Sequence, residues 1–312
     1  MPDPTDAAKT RAPPFTAGRT VAILAALGAV LIWGAWFPVI RLGALETALT
    51  PWDMAFIRMI FPLVVLAPFA ARKGLKAGRL GWRGSFIFAL TLGPPFALLM
   101  GVGAGLAPAS HGAISTPGVF PALVFVVGLF LLGDKATARR WAGLLAVAAG
   151  VGLLAVGLSG GGGGLNLGHL CFHAAAWLWC IYIVAFRISG VSAVRGIWIA
   201  NALGAAYFLP LYLTVGESGF AAMPVADIVL HAVWQGALAG LAAMLMFNFA
   251  ISRLGAAEGA AFGALIPAVA ALAAIPVLGE IPAWYEIAGA GLAGLGVYLL
   301  NSAASPWRRK AP

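Results

Sequence analysis

LLGDKATARRWAGLLAVAAG, residues 131–150, returns 146 positions later as VLGEIPAWYEIAGAGLAGLG, residues 277–296. Gly133 matches Gly279, Asp134 matches Glu280, Gly143 matches Gly289 and Gly150 matches Gly296. The first copy carries Lys135, Arg139 and Arg140, whereas the second carries no Lys or Arg. A duplicated segment has kept its glycines and its acid but lost every positive charge, and the reason for that loss decides the fold.

Composition supplies the setting. The chain has 312 residues, of which 62% are hydrophobic and 9% charged, and its mean hydropathy is +0.97. Soluble domains carry about 25% charged residues, so no water-soluble surface can be built here, and the chain reads as a multi-pass membrane protein. A net charge of +9 would suggest nucleic acid in a soluble protein; here it is explained by loop charges that set orientation.

Cutting the chain at its charges yields the spans. Residues 20–40, 196–216, 228–252, 259–279 and 287–307 are uncharged, each close to the ~20 residues that a bilayer-crossing helix needs. Two stretches are of double length: 84–133, broken near APASHG (107–112), and 141–186, broken at SGGGGGLN (159–166). A further span, about 52–71, must include Arg58. The total is ten helices, since hydrocarbon offers the backbone no other hydrogen-bond partners.

With the N-terminus cytoplasmic, the inner segments hold 17 of the 19 basic residues, all but Arg41 and Arg58. The outer segments hold Glu46, Asp53, Glu217, Asp227, Glu280 and Glu286. This is the positive-inside pattern, with both termini inside. Five helices per half is an odd number, so the second copy enters from the opposite side. GDKATARR (133–140) is then cytoplasmic and GEIPAWYE (279–286) external. Topology strips the basic residues from the outer copy, while helix packing retains the glycines. The expected fold is an all-α membrane protein of ten transmembrane helices in two inverted five-helix repeats, as in many secondary transporters. Its parts are a cytoplasmic tail (1–19), a first repeat (20–157), a Gly-rich external linker (158–165), a second repeat (166–302) and a basic cytoplasmic tail (303–312). Looser correspondences are Pro121 with Pro267, His111 with Glu258, Trp33 with Trp177 and Arg58 with Asn201.

LIWGAWFPVIRLG (31–43) followed by TPWDMAFIR (50–58) resembles the EamA domain of the drug/metabolite transporter superfamily. So does an apolar helix with a central Pro, ending in Gly-Asp or Gly-Glu and followed by a glycine-spaced helix. The resemblance covers residues 20–302 in two copies. The first copy departs from the pattern in carrying Asp134 for the usual Glu, and the second reads AAAWLWC (174–180) where a Trp-Gly pair is expected. The resemblance implies ten helices around a central cavity and alternating-access movement of small metabolites, often amino acids, with export as the expected direction.

Several intramembrane polar and aromatic residues are candidates for the site. Arg58 either meets a carboxylate of the cargo or ties its own helix to backbone carbonyls; a charge at depth costs at least ~2.5 kcal/mol and needs some such compensation. His169, His173 and Trp177 lie at i, i+4 and i+8 on one stripe of the sixth span, with His173 and Trp177 facing either a vestibule or neighbouring helices. Trp33 is too deep for an aromatic belt, and with Trp177 it would favour flat or apolar cargo. Asn201 lines the cavity or bridges helices. His111 and Glu258 each open a span, where Glu258 suits the helix dipole and both are candidates for proton coupling. Pro94, Pro95, Pro121 and Pro267 interrupt their helices at one depth, as a rocking carrier requires.

The negative signals narrow the class. GGGGG (160–164) is not followed by Lys-Ser/Thr and is a linker rather than a phosphate loop. His169 and His173 at i, i+4 have the spacing of a metal-ligand pair, but no further His, Cys or acid is placed to complete a site. No catalytic triad occurs, so neither an enzyme, a cofactor nor a metal is expected, and the first 19 residues do not read as a cleavable signal. Cys171 and Cys180 lie about 13 Å apart along one helix and cannot pair. The reading is a secondary transporter of small organic metabolites in the plasma (bacterial inner) membrane. Its partners are a small-molecule cargo and the lipid bilayer, with no nucleic acid; a homodimer is compatible with it. The alternatives are a passive facilitator or channel, and a membrane-embedded lipid-modifying enzyme.

Overall fold

The computed structural model describes residues 17–70, 72, 74–131, 137–159, 166–254 and 262–302. Glu258, Asp134, most of the glycine linker and nearly all of both tails lie outside the described residues. Among the described residues every regular element is helical, as expected of an apolar chain that must satisfy its backbone internally. Seven helical stretches are long and apolar enough to cross a membrane: 18–46, 51–68, 78–106, 109–131, 167–189, 193–214 and 225–251. Two shorter apolar helices cover 262–278 and 284–300.

The elements run α1 (Ala17–Glu46), α2 (Pro51–Ala70), α3 (Gly81–Thr91), α4 (Pro94–Leu106), α5 (Ala109–Ser115), α6 (Phe120–Leu131) and α7 (Ala138–Ser159). They continue with α8 (Leu167–Ser189), α9 (Ala193–Thr214), α10 (Val225–His231), a π-helical stretch (Ala232–Ala242), α11 (Ala243–Leu254), α12 (Ile266–Leu278) and α13 (Trp284–Ser302).

Local chemistry sets the ends. At the start of α2, the Asp53 amide donates to Thr50 Oγ1 (3.1 Å) and the Thr50 amide to Asp53 Oδ2 (3.2 Å), a reciprocal cap. Asp53 is fully buried and also accepts from the Gly219 amide (2.8 Å) and the Tyr212 hydroxyl (2.5 Å). Asn166 and His169 form the same kind of reciprocal cap on α8.

The prolines start helices after breaks. Pro94 and Pro95 form the first turn of α4, and Pro121 and Pro267 are each the second residue of α6 and α12. A proline in the first turn loses no helical hydrogen bond, because its N–H would have had no partner there. The backbone breaks just before Pro94 and before Pro121 instead of bending through, whereas Pro267 follows a 3-10 turn (Phe262–Leu265) that runs directly into α12.

The two halves meet most closely where α7 packs on α13. A Cβ placed on Gly143 would lie 2.9 Å from the Gly296 carbonyl oxygen, and one on Gly150 would lie 2.7 Å from that of Gly289. The order is reversed along the chain, so the two helices run antiparallel. Position 143 corresponds to 289 and 150 to 296, so each member of a matched pair touches the partner of the other. This is the self-complementary contact of a two-fold arrangement. The glycines let the backbones approach to a distance that any side chain would prevent.

Candidate functional site

A cavity opens between α1, α2, α4, α8 and α11, lined among others by Trp33, Trp36, Arg58, Phe96, Thr116 and Trp179. Its lining also includes Leu92 at the end of α3, Pro117 between α5 and α6, and Ile266 at the start of α12. Two chain breaks and one passage from 3-10 to α-helix thus converge on one space. Irregular backbone inside a membrane protein is tolerated where it lines a cavity or is buried in protein, and discontinuous helices are a mark of transporter binding sites. The space itself is narrow, about 20 Å³, little more than one water occupies.

Arg58 stands about two turns into α2. Its guanidinium carbon lies 4.6 Å from the centre of the Trp36 ring and 5.3 Å from that of Phe96, an arrangement that offsets part of its desolvation by cation–π attraction. Its Nη1 is buried and has no hydrogen-bond partner. Among the described residues no carboxylate lies within ion-pair distance of it. A buried charge that lacks a counter-ion is expensive, and here the remaining accessible part of the side chain faces the cavity.

Aromatic rings wall the rest. Trp33 donates from Nε1 to the Ala239 carbonyl in the π-helical stretch (3.1 Å) and meets Trp179 edge-on at 6.3 Å. Trp179 stacks on Phe120 at 4.5 Å. The Trp36 indole donates to Gln235 Oε1 (2.6 Å), which fixes that amide and leaves Gln235 Nε2 buried without a partner. Thr116 donates its hydroxyl proton to the Phe172 carbonyl (3.1 Å), so its oxygen remains an acceptor.

The structure brings Trp33 and Arg58 together and places the other expected residues that it describes elsewhere; Glu258 lies outside the described residues. Trp177 is 48% exposed and does not line the cavity. His173 bonds through Nδ1 to the His169 carbonyl (2.9 Å), and Asn201 donates to Ile197 of its own helix (2.7 Å); neither lines the cavity. His111 belongs to a separate polar cluster described below. Pro94, Pro95, Pro121 and Pro267 do not line the cavity, but Pro94, Pro95 and Pro121 lie within a few residues of a break that does, and Pro267 follows the lining residue Ile266.

The residues not foreseen are Trp36, Phe96, Thr116, Trp179 and Gln235. The signal for Trp179 was the spacing Phe172, Ala175, Ala176, Trp179, an i, i+3, i+4, i+7 face whose first three members are buried. Nothing in the sequence marked Gln235, since a π-helical register cannot be read from periodicity.

At the end of the bundle where α1 finishes and α13 begins, Arg41 forms an ion pair with Glu280 and donates to the carbonyls of Ala104 (2.9 Å) and Ala107 (2.8 Å). Beside it, His111 Nε2 lies 3.0 Å from Glu286 Oε1. No group of three or more His, Cys, Asp or Glu among the described residues is arranged to hold a metal ion.

A sequence model of the EamA-like transporter family matches this chain twice, over residues 20–156 and 166–302. The chain belongs to the EamA-like transporter family. This EamA-like transporter is a multi-pass membrane protein. It is 26% identical over 295 residues to a protein of Streptantibioticus cattleyicolor named "probable terminal-alkyne amino-acid exporter", a similarity covering 93% of this chain and 96% of the relative. A solved crystal structure, titled only as that of a protein, superposes with a TM-score of 0.61 at 18% identity, over 90% of this chain and 96% of the other. That likeness concerns the fold.

Proposed function

We propose that this EamA-like transporter is a secondary, non-ATP-driven exporter of small carboxylated compounds with flat or apolar side chains, amino acids and related amphipathic molecules foremost. It is not an enzyme. Ten helices, five per half in opposite orientation, span the plasma (bacterial inner) membrane with both termini in the cytoplasm. Cargo moves by alternating access, driven by its own gradient or by protons.

The observation that carries this reading is Arg58, a buried guanidinium whose Nη1 has no partner, flanked by two aromatic faces in a space that no acid lines among the described residues. A cargo carboxylate would supply the missing counter-ion through paired N–H···O bonds. The indoles of Trp33 and Trp179 would take an apolar or aromatic side chain. An ammonium group has ring faces and the Thr116 oxygen to meet. The name of the Streptantibioticus cattleyicolor relative is compatible with this cargo class.

The narrowness of the space favours movement over a fixed pore. At about 20 Å³ the cavity cannot admit an amino acid without separation of its walls, so the conformation is a contracted one. The antiparallel glycine contact of α7 and α13 supports the inverted arrangement, because two halves related in this way can rock about it.

The test is counterflow in proteoliposomes across an amino-acid panel, comparing each carboxylate with its amide. Loss of a buried charge partner costs about 2–5 kcal/mol, so Arg58→Gln should weaken carboxylate cargo by about 30-fold or more and leave amides little changed. Equal losses on both would assign Arg58 to structure alone. Trans-stimulation by internal substrate marks a carrier, and its absence marks a facilitator or channel.

A further inference from the structure

We propose that α5 is a plug closing the cavity toward the end of the bundle where α1 finishes, and that Glu280 and Glu286 of the second half are the latch that holds it shut. The device rests on the transport reading and on the proposed orientation, which puts that end outside.

α5 is short, and all seven of its residues are buried. The helix is interrupted on both sides. Ala107 and Pro108 are extended before it, and a turn at 116–119 separates it from α6. It runs about 10 Å by helical rise, from Ala109 at the end of the bundle to Thr116 and Pro117, which line the cavity. Apart from His111 and Ile114 it carries only Ala, Ser and Gly. A helical piece between two breaks can shift as a unit, because the breaks absorb the change in backbone angles.

What holds α5 comes largely from the other half of the chain. Glu280 accepts from the Ala109 amide (3.3 Å) and pairs with Arg41, which donates to the Ala104 and Ala107 carbonyls just before the break. Glu286 accepts from the Ser110 hydroxyl and from His111 Nε2 (3.0 Å). The Asn166 side chain donates to the Leu106 carbonyl (2.7 Å). The Asn166 amide donates to His169 Nδ1 (3.3 Å) and His169 Nε2 to His111 Nδ1 (2.9 Å), so two neutral rings complete the chain of bonds to Glu286. Leu106, Ala109, Ser110 and His111 of the first half are all gripped from the second.

The contacts between halves are of two kinds, and they differ in what can replace them. Between α7 and α13 backbone meets backbone in close packing, which offers water nothing in exchange. Around α5 the contacts are hydrogen bonds and an ion pair. The side chains of Arg41 and Glu280 are 15% and 27% exposed, so water can take over their bonds as they separate. The first kind suits an axis about which the halves turn, the second a closure made and broken in each cycle. The pair also recurs in the sequence. Arg187 and Asp134 stand 146 positions from Arg41 and Glu280, with the acid now in the first half and the Arg in the second. A carrier that opens to each side in turn needs a closure at either end, and an inverted repeat carries the same two charges to the opposite face.

The first test reads the plug without cargo. In protein lacking Cys171 and Cys180, held in nanodiscs, a cysteine replaces Ser115, which is buried at the cavity end of α5 with its hydroxyl unpartnered. It should react slowly with a maleimide. Adding Glu280→Ala and Glu286→Ala removes charge-assisted bonds and should speed that reaction about tenfold or more. A cysteine replacing Val147, buried against Gly296 of α13, should keep its rate. Unchanged labelling at 115, or equal acceleration at 115 and 147, would refute the latch. The second test restores the latch covalently. Ser110→Cys with Glu286→Cys, bridged by a short bis-thiosulfonate, should lose counterflow of the amino-acid panel and regain it in dithiothreitol. Equal exchange in the bridged and reduced forms would refute the plug. If α5 opens as expected in a protein that moves no member of the panel, the transport reading falls and the latch stands.

Discussion

Replacing Gly150 with Ala measures how much of the assembly depends on backbone contact between α7 and α13. The added Cβ would lie 2.7 Å from the Gly289 carbonyl oxygen and 2.9 Å from the Ala293 amide nitrogen. Ordinary contact begins near 3.4 Å, so the helices must part by about 0.7 Å at this point. The obstacle is backbone and cannot rotate away. Overpacking of this kind costs about 1–3 kcal/mol, whereas Gly to Ala inside a helix gains roughly 0.5–1 kcal/mol, so the net loss is about 0–2.5 kcal/mol, centred near 1. Gly152, on the same helix, has nothing within 4 Å of its Cβ position, and Gly152→Ala keeps only the gain. The same contrast holds between Gly289 and Gly291 on α13, since Gly291 also has open space. The assay is thermal unfolding of the purified protein in detergent, followed by loss of monodisperse elution. Gly150→Ala and Gly289→Ala should lower the midpoint, and Gly152→Ala and Gly291→Ala should hold or raise it. The double variant Gly150→Ala/Gly289→Ala should lose less than the sum, because both side chains force open one contact. If all four single variants behave alike, the close antiparallel contact is not what holds this pair together.

Three further outcomes are expected. Trp179→Ala should impair counterflow while Trp177→Ala leaves it unchanged; the reverse result would move the site to the half-exposed face of α8. A cysteine at Ala283 should react with an impermeant reagent added to intact cells and one at Ala138 should not; labelling of both from outside refutes the inverted topology. Gln235→Leu strands the Trp36 indole N–H without its acceptor, which costs about 1–3 kcal/mol. Gln235→Glu keeps the acceptor, so it should preserve the unfolding midpoint while weakening carboxylate cargo beside Arg58, and equal destabilisation by both would mean that the Trp36 bond contributes little.

Much of the fold was legible because the signals that carry it are one-dimensional. Hydropathy marked apolar stretches that the structure makes into helices, and a duplicated glycine pattern marked Gly143, Gly150, Gly289 and Gly296, which turn out to touch. Pro94, Pro121 and Pro267 were legible as interruptions, but their form was not: Pro94 and Pro121 open a helix after a break, and Pro267 follows a 3-10 turn that runs into its helix.

The candidate site was legible only in part, for a physical reason. In a soluble protein a polar face tells inside from outside, whereas here the lipid is as apolar as the core, and periodicity cannot say which way a ring points. Trp177 and Trp179 are two residues apart on one helix, and only packing decided that Trp179 stacks on Phe120 at the cavity while Trp177 is half exposed. The π-helical register that presents Gln235 to Trp36 is likewise set by neighbouring helices.

By itself, then, the sequence determined a helical membrane chain in two related halves, with Trp33 and Arg58 as candidates for its interior, because length, charge and repetition act along the chain. Only the tertiary structure decided that Arg58 lies against Trp36 with no acid beside it among the described residues, that Arg41 finds Glu280 across 239 positions, and that His111, His169 and Glu286 meet. Those contacts join residues distant along the chain, and their partners are chosen by how helices lie beside one another in space.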